Sequence, residues 1–180
     1  MKTPSDEELM LSVRDGDLAA FEQIVLRHQT EAWRVAYRFT GDAAEAEDLA
    51  QEAFLRILDA ASRYEPTAKF RTYFYRVLTR LCIDYRRKKR PILSDSLLLH
   101  ADGETAPAEL AEQRDRDGLI QAALDALPAD YRMAVVLRYF EGLSATEMAE
   151  VMGLTPKAVE RVLARARHAL EPRLKDLFGN

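Results

Sequence analysis

Apolar residues recur every three or four positions along most of the chain and nowhere alternate in twos, so the elements predicted are helices. Residues 6–15 and 17–40 form two helical runs broken at Gly16, with Leu18, Phe21, Val25, Trp33, Ala36 and Tyr37 expected to supply apolar contacts. Asp42 opens a third run in the order Asp-x-x-Glu, an N-terminal capping pattern, and carries Leu49, Ala53, Phe54, Ile57 and Leu58 toward a core. The stretch "RYEPTAKF" interrupts, and a long run follows from Phe70 to Lys89, stopped by Pro91. Its buried face is expected to be Phe70, Phe74, Val77, Leu78, Leu81 and Tyr85. Its other face carries Thr72, Tyr73, Arg76, Thr79, Arg80 and Arg87. Between Pro91 and Pro107 the period lapses, which reads as a linker of 17 residues, able to span roughly 55–60 Å. Its clump Leu97, Leu98, Leu99 is expected to dock locally. Helical spacing resumes near Glu109 and breaks at Leu127-Pro128. The fold expected is all-α, with two small helical domains at 1–90 and 108–180 joined by a flexible linker, 91–107.

The sharpest local signal lies near the end. Ser144-Ala-Thr-Glu147 is a capping box, so a helix starts there and runs to Met152. Gly153 follows as the left-handed residue expected after a helix end. Thr155 caps a second helix with Pro156 in its first turn. Helix, short turn, helix is the helix-turn-helix layout. On the second helix Val159, Val162, Leu163, Ala166 and Leu170 share one face, against Met148, Ala149 and the Val135–Phe140 helix. Lys157, Arg161, Ala164, Arg165 and His168 share the opposite face. A helix so divided packs by one side and offers cations to phosphates and guanine edges with the other.

Composition adds one thing that patterning does not. The net charge is −4, yet residues 61–90 hold 10 bases against 2 acids, while residues 1–60 hold 13 acids against 6 bases. Cationic zones in an acidic background suit a protein that meets polyanion at chosen places. Tyr73 beside Arg76 and Arg80 suits unpaired bases, which stack while cations follow the backbone. The loop Arg63 to Lys69 is placed to wall a base drawn from the duplex. The single cysteine, Cys82, leaves no intramolecular disulfide, and no Cys/His set has zinc spacing, so neither metal nor cofactor is expected. No signal-peptide pattern or membrane-length apolar run occurs, and the expected setting is cytoplasmic.

The segments "EDLAQEAFLRIL" (47–58), "FRTYFYRVLTRLCIDYRRKKR" (70–90) and "ALDALPADYRMAVVLRYFEGLSATEMAEVMGL" (123–154) together resemble a bacterial RNA polymerase sigma factor of the extracytoplasmic-function group. The resemblance implies a promoter-specificity subunit without catalytic chemistry, built from region 2 (1–90) and region 4 (108–180). It implies docking of Asp48, Gln51, Glu52, Leu55 and Arg56 on the clamp helices of the largest polymerase subunit. Arg63, Lys69, Tyr73, Arg76, Arg80 and Arg87 would read and help melt the −10 element. Ser144, Thr155, Lys157, Arg161, Arg165 and His168 would read the −35 element, with region 4 also touching the polymerase flap. Promoter DNA, core polymerase and an anti-sigma factor are the partners implied, with no membrane insertion. Tyr73 stands where the family commonly has Trp. Glu160 and Val162 stand at its usual Lys and Arg positions, so Arg161 and Arg165 are expected to supply those contacts.

Two other classes compete. Glu45, Asp48 and Glu52 line one helix face, as in all-helical metal-dependent nucleotide pyrophosphatases. Those sites need a second acidic pair, and Glu22 with Glu31 or Asp84 alone does not match one. A helix-turn-helix regulator binding operator DNA unaided is the other; it would bind tightly as a dimer on a palindrome, whereas a sigma factor would co-purify with core polymerase.

Overall fold

The computed structural model describes the backbone of residues 3–89 and 108–178 and the side chains of 3–89 and 117–175. The predicted linker, 91–107, with its Leu97–Leu99 clump, lies outside the described residues. Among the described residues all regular structure is helical: α1 Asp6–Arg14, α2 Leu18–Thr40, α3 Ala43–Ala60, α4 Phe70–Lys89, α5 Ala108–Asp125, α6 Ala129–Val135, α7 Ala145–Met152 and α8 Pro156–Phe178. A 3₁₀ turn, Ala61–Arg63, follows α3, and α6 runs on as a π-turn, Val136–Phe140.

Local chemistry sets the boundaries. Ser5 and Ser144 each head a complete capping box, accepting from the Glu8 and Glu147 amides while those carboxylates return to the Ser amides. Asp17 and Asp42 cap α2 and α3 through their carboxylates. Of the Asp42 pattern only the aspartate half is used, its side chain accepting from the Glu45 amide at 2.9 Å. The pairs α1 with α2, α2 with α3, and α3 with α4 pack together, around Phe39, Phe54, Ile57, Phe70, Phe74 and Leu78. Each such side chain, fully buried, contributes roughly 1.5–3 kcal/mol.

The buried stripe of α2 corrects the sequence reading. It is Ala20, Ile24, His28, Ala32, Val35, Ala36 and Phe39. Of the residues expected inside, Ala36 is buried and Phe21 and Val25 are partly so, but Leu18, Trp33 and Tyr37 face outward. The alanines admit close approach of neighbouring helices, which a Trp or Tyr at the same positions would block. On α4, Thr79 was expected on the open face; it is buried, because α2, α3, α6 and α7 all pack on this helix.

Beneath α1 a polar chain crosses the core. His28 lies 5.3 and 5.2 Å from the Phe70 and Phe74 rings. Its Nε2 meets Asp6 Oδ2 at 2.8 Å and its Nδ1 meets Glu31 Oε2 at 3.3 Å. Glu31 accepts in turn from Tyr75 Oη and Arg71 Nη2. Burial raises the Glu31 carboxyl, but His28, Tyr75 and Arg71 overcome this and hold it at about 2. Burial lowers His28, and its two carboxylate partners outweigh that to leave it raised.

The second half, α6 to α8, packs around Met133, Val136, Leu137, Met148, Val159 and Leu163 and lies directly against α2 and α4. The two halves share one continuous apolar core, and charged groups add to that contact. Arg132 of α6, with 0% exposure, donates from Nη2 to the Arg38 carbonyl at 3.0 Å, pairs with Asp125 and lies 5.6 Å from the Phe39 ring. Burial pulls its guanidinium down to about 10, so it is still charged at neutral pH.

Candidate functional site

The helix-turn-helix forms as its caps dictate. Gly153 closes α7 at φ 67°, a left-handed conformation that disfavours any side chain. Thr155 Oγ1 accepts from the Ala158 amide at 3.2 Å to start α8. Val159, Leu163, Ala166 and Leu170 are buried against α6 and α7, and Val162 is partly buried. Lys157, Arg161, Arg165 and His168 are all exposed on the other side. Among the described residues none of these four is held in an ion pair, so the Lys157, Arg161 and Arg165 charges are available to a polyanion. Glu160 is exposed between Lys157 and Arg161 and gives this face one repulsive point. Ser144 and Thr155 are exposed as well, but both hydroxyls are engaged in caps, so their first role is to set the two helix starts.

The second cationic surface lies along α4 and the loop before it. Arg63, Lys69, Arg76, Arg80 and Arg87 are exposed and Tyr73 is half-buried. Ala60, Arg63, Tyr64, Glu65, Thr67, Ala68, Tyr73 and Arg76 line a cavity of about 300 Å³, with room for one nucleobase. Tyr64 and Tyr73 meet edge to face at 5.7 Å, and the buried Tyr64 hydroxyl has no partner. Desolvation pushes that phenol up to about 12, so it is a neutral donor facing an unfilled need. Sequence reasoning missed Tyr64, since nothing in its neighbours distinguishes a lining tyrosine from a packed one. Two of the predicted residues are already engaged. Arg76 donates from Nη2 to the Glu150 carbonyl at 3.0 Å, and Arg87 Nη2 meets both Asp130 oxygens at 3.2 Å.

A third surface is apolar and acidic rather than cationic. On α3, Asp48, Gln51, Leu55 and Arg56 are exposed and Glu52 is half-buried, paired with Arg56 at 2.8 Å. Beside them a groove of about 440 Å³ runs between α2 and α3, lined by Val25, Gln29, Trp33, Glu47, Gln51 and Phe54. Trp33 stacks on Tyr37 with centroids 4.9 Å apart. Leu26 and Leu55 are 61% and 57% exposed, and apolar area of this kind on the surface marks a protein contact. Trp33 and its neighbours are the outward residues that the sequence reading had assigned to the core. The carboxylate row considered for an enzyme is partly spent: Glu45 pairs with Lys89 and Glu52 with Arg56. A fourth recess, of about 820 Å³, is lined by Leu124, Val135, Phe140, Leu170 and Leu174 with Arg167 and Lys175 at its rim.

Residues 24–92 match the family described as Sigma-70 region 2, and residues 117–170 match Sigma-70, region 4. The chain is 33% identical over 177 residues to the "ECF RNA polymerase sigma factor SigW" of Bacillus subtilis, covering 92% of this chain and 94% of that one. It is also 33% identical to the "RNA polymerase sigma-H factor" of Pseudomonas aeruginosa, over 96% of this chain and 95% of that one. Among solved structures, CnrH in complex with the cytosolic domain of CnrY superposes with a TM-score of 0.73 at 25% identity, over 96% of this chain and 99% of that one. The RpoE sigma factor of Bartonella quintana, solved with the anti-sigma factor NepR, shares the fold with a TM-score of 0.63 at 21% identity, over 86% and 96% of the two chains.

Proposed function

This chain belongs to the sigma-70 family, as an extracytoplasmic-function sigma factor that directs RNA polymerase to promoters in transcription initiation, and from that premise we propose how its surfaces divide the work. Region 2 occupies 1–90, region 4 occupies 108–180, and 91–107 tethers them. The α2–α3 groove, lined by Trp33, Glu47 and Gln51 with Asp48, Glu52, Leu55 and Arg56 beside it on α3, takes the clamp helices of the largest polymerase subunit. An acidic, aromatic-edged groove suits a cationic amphipathic helix and repels DNA. The recess between α5, the π-turn and α8 takes the polymerase flap, its apolar floor receiving a hydrophobic segment and its Arg167 and Lys175 rim fixing orientation.

Arg63, Lys69, Tyr73, Arg76, Arg80 and Arg87 hold the opened −10 strand, with one base in the cavity between Tyr64 and Tyr73. Lys157, Arg161, Arg165 and His168 enter the major groove at the −35 element, placed there by the Ser144 and Thr155 caps. The observation that carries this reading is the pairing of an unoccupied cationic helix face with a base-sized cavity at the end of a second one. The chain acts as a specificity subunit with no catalysis of its own, in the cytoplasm; among the described residues no helix is long and apolar enough to cross a membrane. An anti-sigma protein is a further partner, by analogy with the complexes in which CnrH and the Bartonella RpoE were solved.

Reconstituted transcription tests it: purified chain, bare core polymerase and genomic fragments should give defined start sites that core enzyme alone does not. Asp48→Arg should weaken core binding, read by fluorescence titration, while leaving isothermal −35 duplex binding by the same variant unchanged. Undiminished core affinity would remove the docking assignment.

A further inference from the structure

The base-sized cavity has two walls: the turn and loop from Ala60 to Ala68, and the start of α4, which brings Tyr73 and Arg76. The α4 wall is not fixed by its own sequence. The residue before the helix is Lys69, whose carbonyl accepts from the Thr72 amide at 3.0 Å and the Tyr73 amide at 3.3 Å. A lysine side chain carries donors alone, so it cannot satisfy an orphan amide of the helix it opens. The Phe70 amide is satisfied from 63 positions away, donating to Glu7 Oε1 of α1 at 2.7 Å. That bond holds the Glu7 carboxyl below its ordinary 4.5, so a negative charge faces the positive end of α4 at neutral pH.

The same helix reaches the other wall. α1 packs on the 3₁₀ turn Ala61–Arg63, and its buried Leu9, Met10 and Val13 join Ala61, Tyr64 and Phe70 in one apolar cluster. Glu7 lies close enough to Tyr64 to add to the rise that burial gives its phenol. α1 is itself pinned from α2, where Arg27 Nη1 donates to Asp6 at 2.7 Å and His28 Nε2 meets Asp6 at 2.8 Å. Glu8 turns back to the Ser5 amide. Three successive carboxylates therefore have three destinations: α2, α4 and the start of α1 itself. The arrangement also frees Lys69. A Ser, Thr or Asp in its place would cap α4 locally, but would remove a cation from the strand-binding row. Capping from α1 leaves Lys69 exposed and able to meet phosphate.

We propose that α1 braces the base cavity, with Glu7 as its positioning residue: by tying the start of α4 to the turn at Ala61–Arg63 it sets the gap between Tyr64 and Tyr73, and through that gap the preference among bases. This rests on the reading of the cavity as the seat of one −10 base. Glu7 acts through the Phe70 amide and meets no base itself, so its loss changes base preference without changing how many phosphates are met.

The test uses holoenzyme assembled from the full chain and core polymerase, with binding by core alone subtracted. Fluorescein-labelled fifteen-nucleotide oligo-dT, oligo-dC and oligo-dA are titrated by anisotropy across a salt series. The wild type should separate its tightest and weakest oligomers by about tenfold, the size of one well-stacked base. Glu7→Ala should shrink that spread to about twofold, while its salt slope stays as in the wild type, because slope counts phosphates. Glu7→Asp keeps the acid in the first turn of α1 but is one methylene too short for the Phe70 amide, and should behave like Glu7→Ala. Glu7→Gln keeps an acceptor at the right reach and should preserve the spread. If Glu7→Ala loses helicity by circular dichroism, the comparison of Glu7→Asp with Glu7→Gln decides the matter by itself. A wild-type spread that survives in folded Glu7→Asp overturns the brace alone, as does a Glu7→Gln that loses it no less than Glu7→Asp. A wild type with no spread at all overturns the cavity reading, and the brace with it.

Discussion

Glu31 ties two helices and a turn together: it joins His28 on its own helix to Tyr75 and Arg71 on α4, and through Tyr75 to Glu141 beyond α6. Its carboxyl is held at about 2 against an ordinary 4.5. The folded state therefore favours the ionised form, and the stabilisation is complete above pH 4.5 and lost as pH falls toward 2. His28 has the opposite sign. Its value is raised from 6.5, so its contribution is complete below pH 6.5 and fades as pH climbs through the folded value. Urea unfolding of the wild type should accordingly be most favourable to the native state between pH 4.5 and 6.5, and Glu31→Gln should flatten the acid limb and, by removing one of the two carboxylates that raise His28, weaken the limb above pH 6.5 as well. An acid limb of the same depth in that variant would place the titration elsewhere. On the DNA side, Arg161 occupies the position that Glu160 and Val162 leave to it. Arg161→Ala should cost the holoenzyme roughly 1–3 kcal/mol at its −35 element if a base is read. If only a phosphate is met, the loss should instead be a salt slope shallower by about one. Filter binding across a salt series separates the two, and an unchanged affinity and slope would exclude Arg161 from the interface.

At the scale of elements, α7 shows how little chain is needed when the ends are well specified. It has 8 residues, too few to persist alone, and depends on the Ser144–Glu147 box and on packing against α4 and α8. Ser144→Ala should lower stability by about 1 kcal/mol, measured by thermal melting, whereas Ser144→Asp should restore most of it. Equal melting of all three would mean that packing alone sets the helix start. The same locality explains what the sequence discloses. The bounds of α2, α7 and α8 follow from Asp17, Ser144, Gly153 and Thr155, each acting within a turn of itself. The cationic face of α8 follows from its period, and so does the exposure of Asp48, Gln51, Leu55 and Arg56 on α3. The buried face of α2 does not, because size misleads there: small Ala32 and Ala36 are inside, while Trp33 and Tyr37 face outward. Nor does the cavity beside Tyr64, whose lining from Ala60 to Arg76 crosses a loop with no period of its own, nor the bonds of Arg34 to Glu141 and of Arg132 to Arg38, which join residues 107 and 94 positions apart that no local pattern pairs.

For the whole molecule, the issue is reach. Closed, the two halves share one body; bound to a promoter, they must bridge a distance set by the DNA and not by the protein. The chain between them, 91–107, has 17 residues and an extended limit of roughly 55–60 Å. Added to the breadth of two helical bodies this covers the separation of the elements with modest slack. Removing eight of these residues cuts the limit to about 30 Å, so the same sum falls by nearly half the linker's reach and loses that slack. The shortened chain should still fold and still bind core polymerase, because neither depends on the full span. Run-off transcription from promoters that need both elements should fall by at least tenfold. Inserting ten Gly/Ser residues should do far less harm, because doubling a flexible loop costs only about 0.6 kcal/mol. The asymmetry is the diagnostic point. If shortening and lengthening were equally tolerated, the two DNA surfaces would not be acting together on one promoter. If lengthening were the more damaging, the intervening residues would be making contacts of their own rather than serving as a tether.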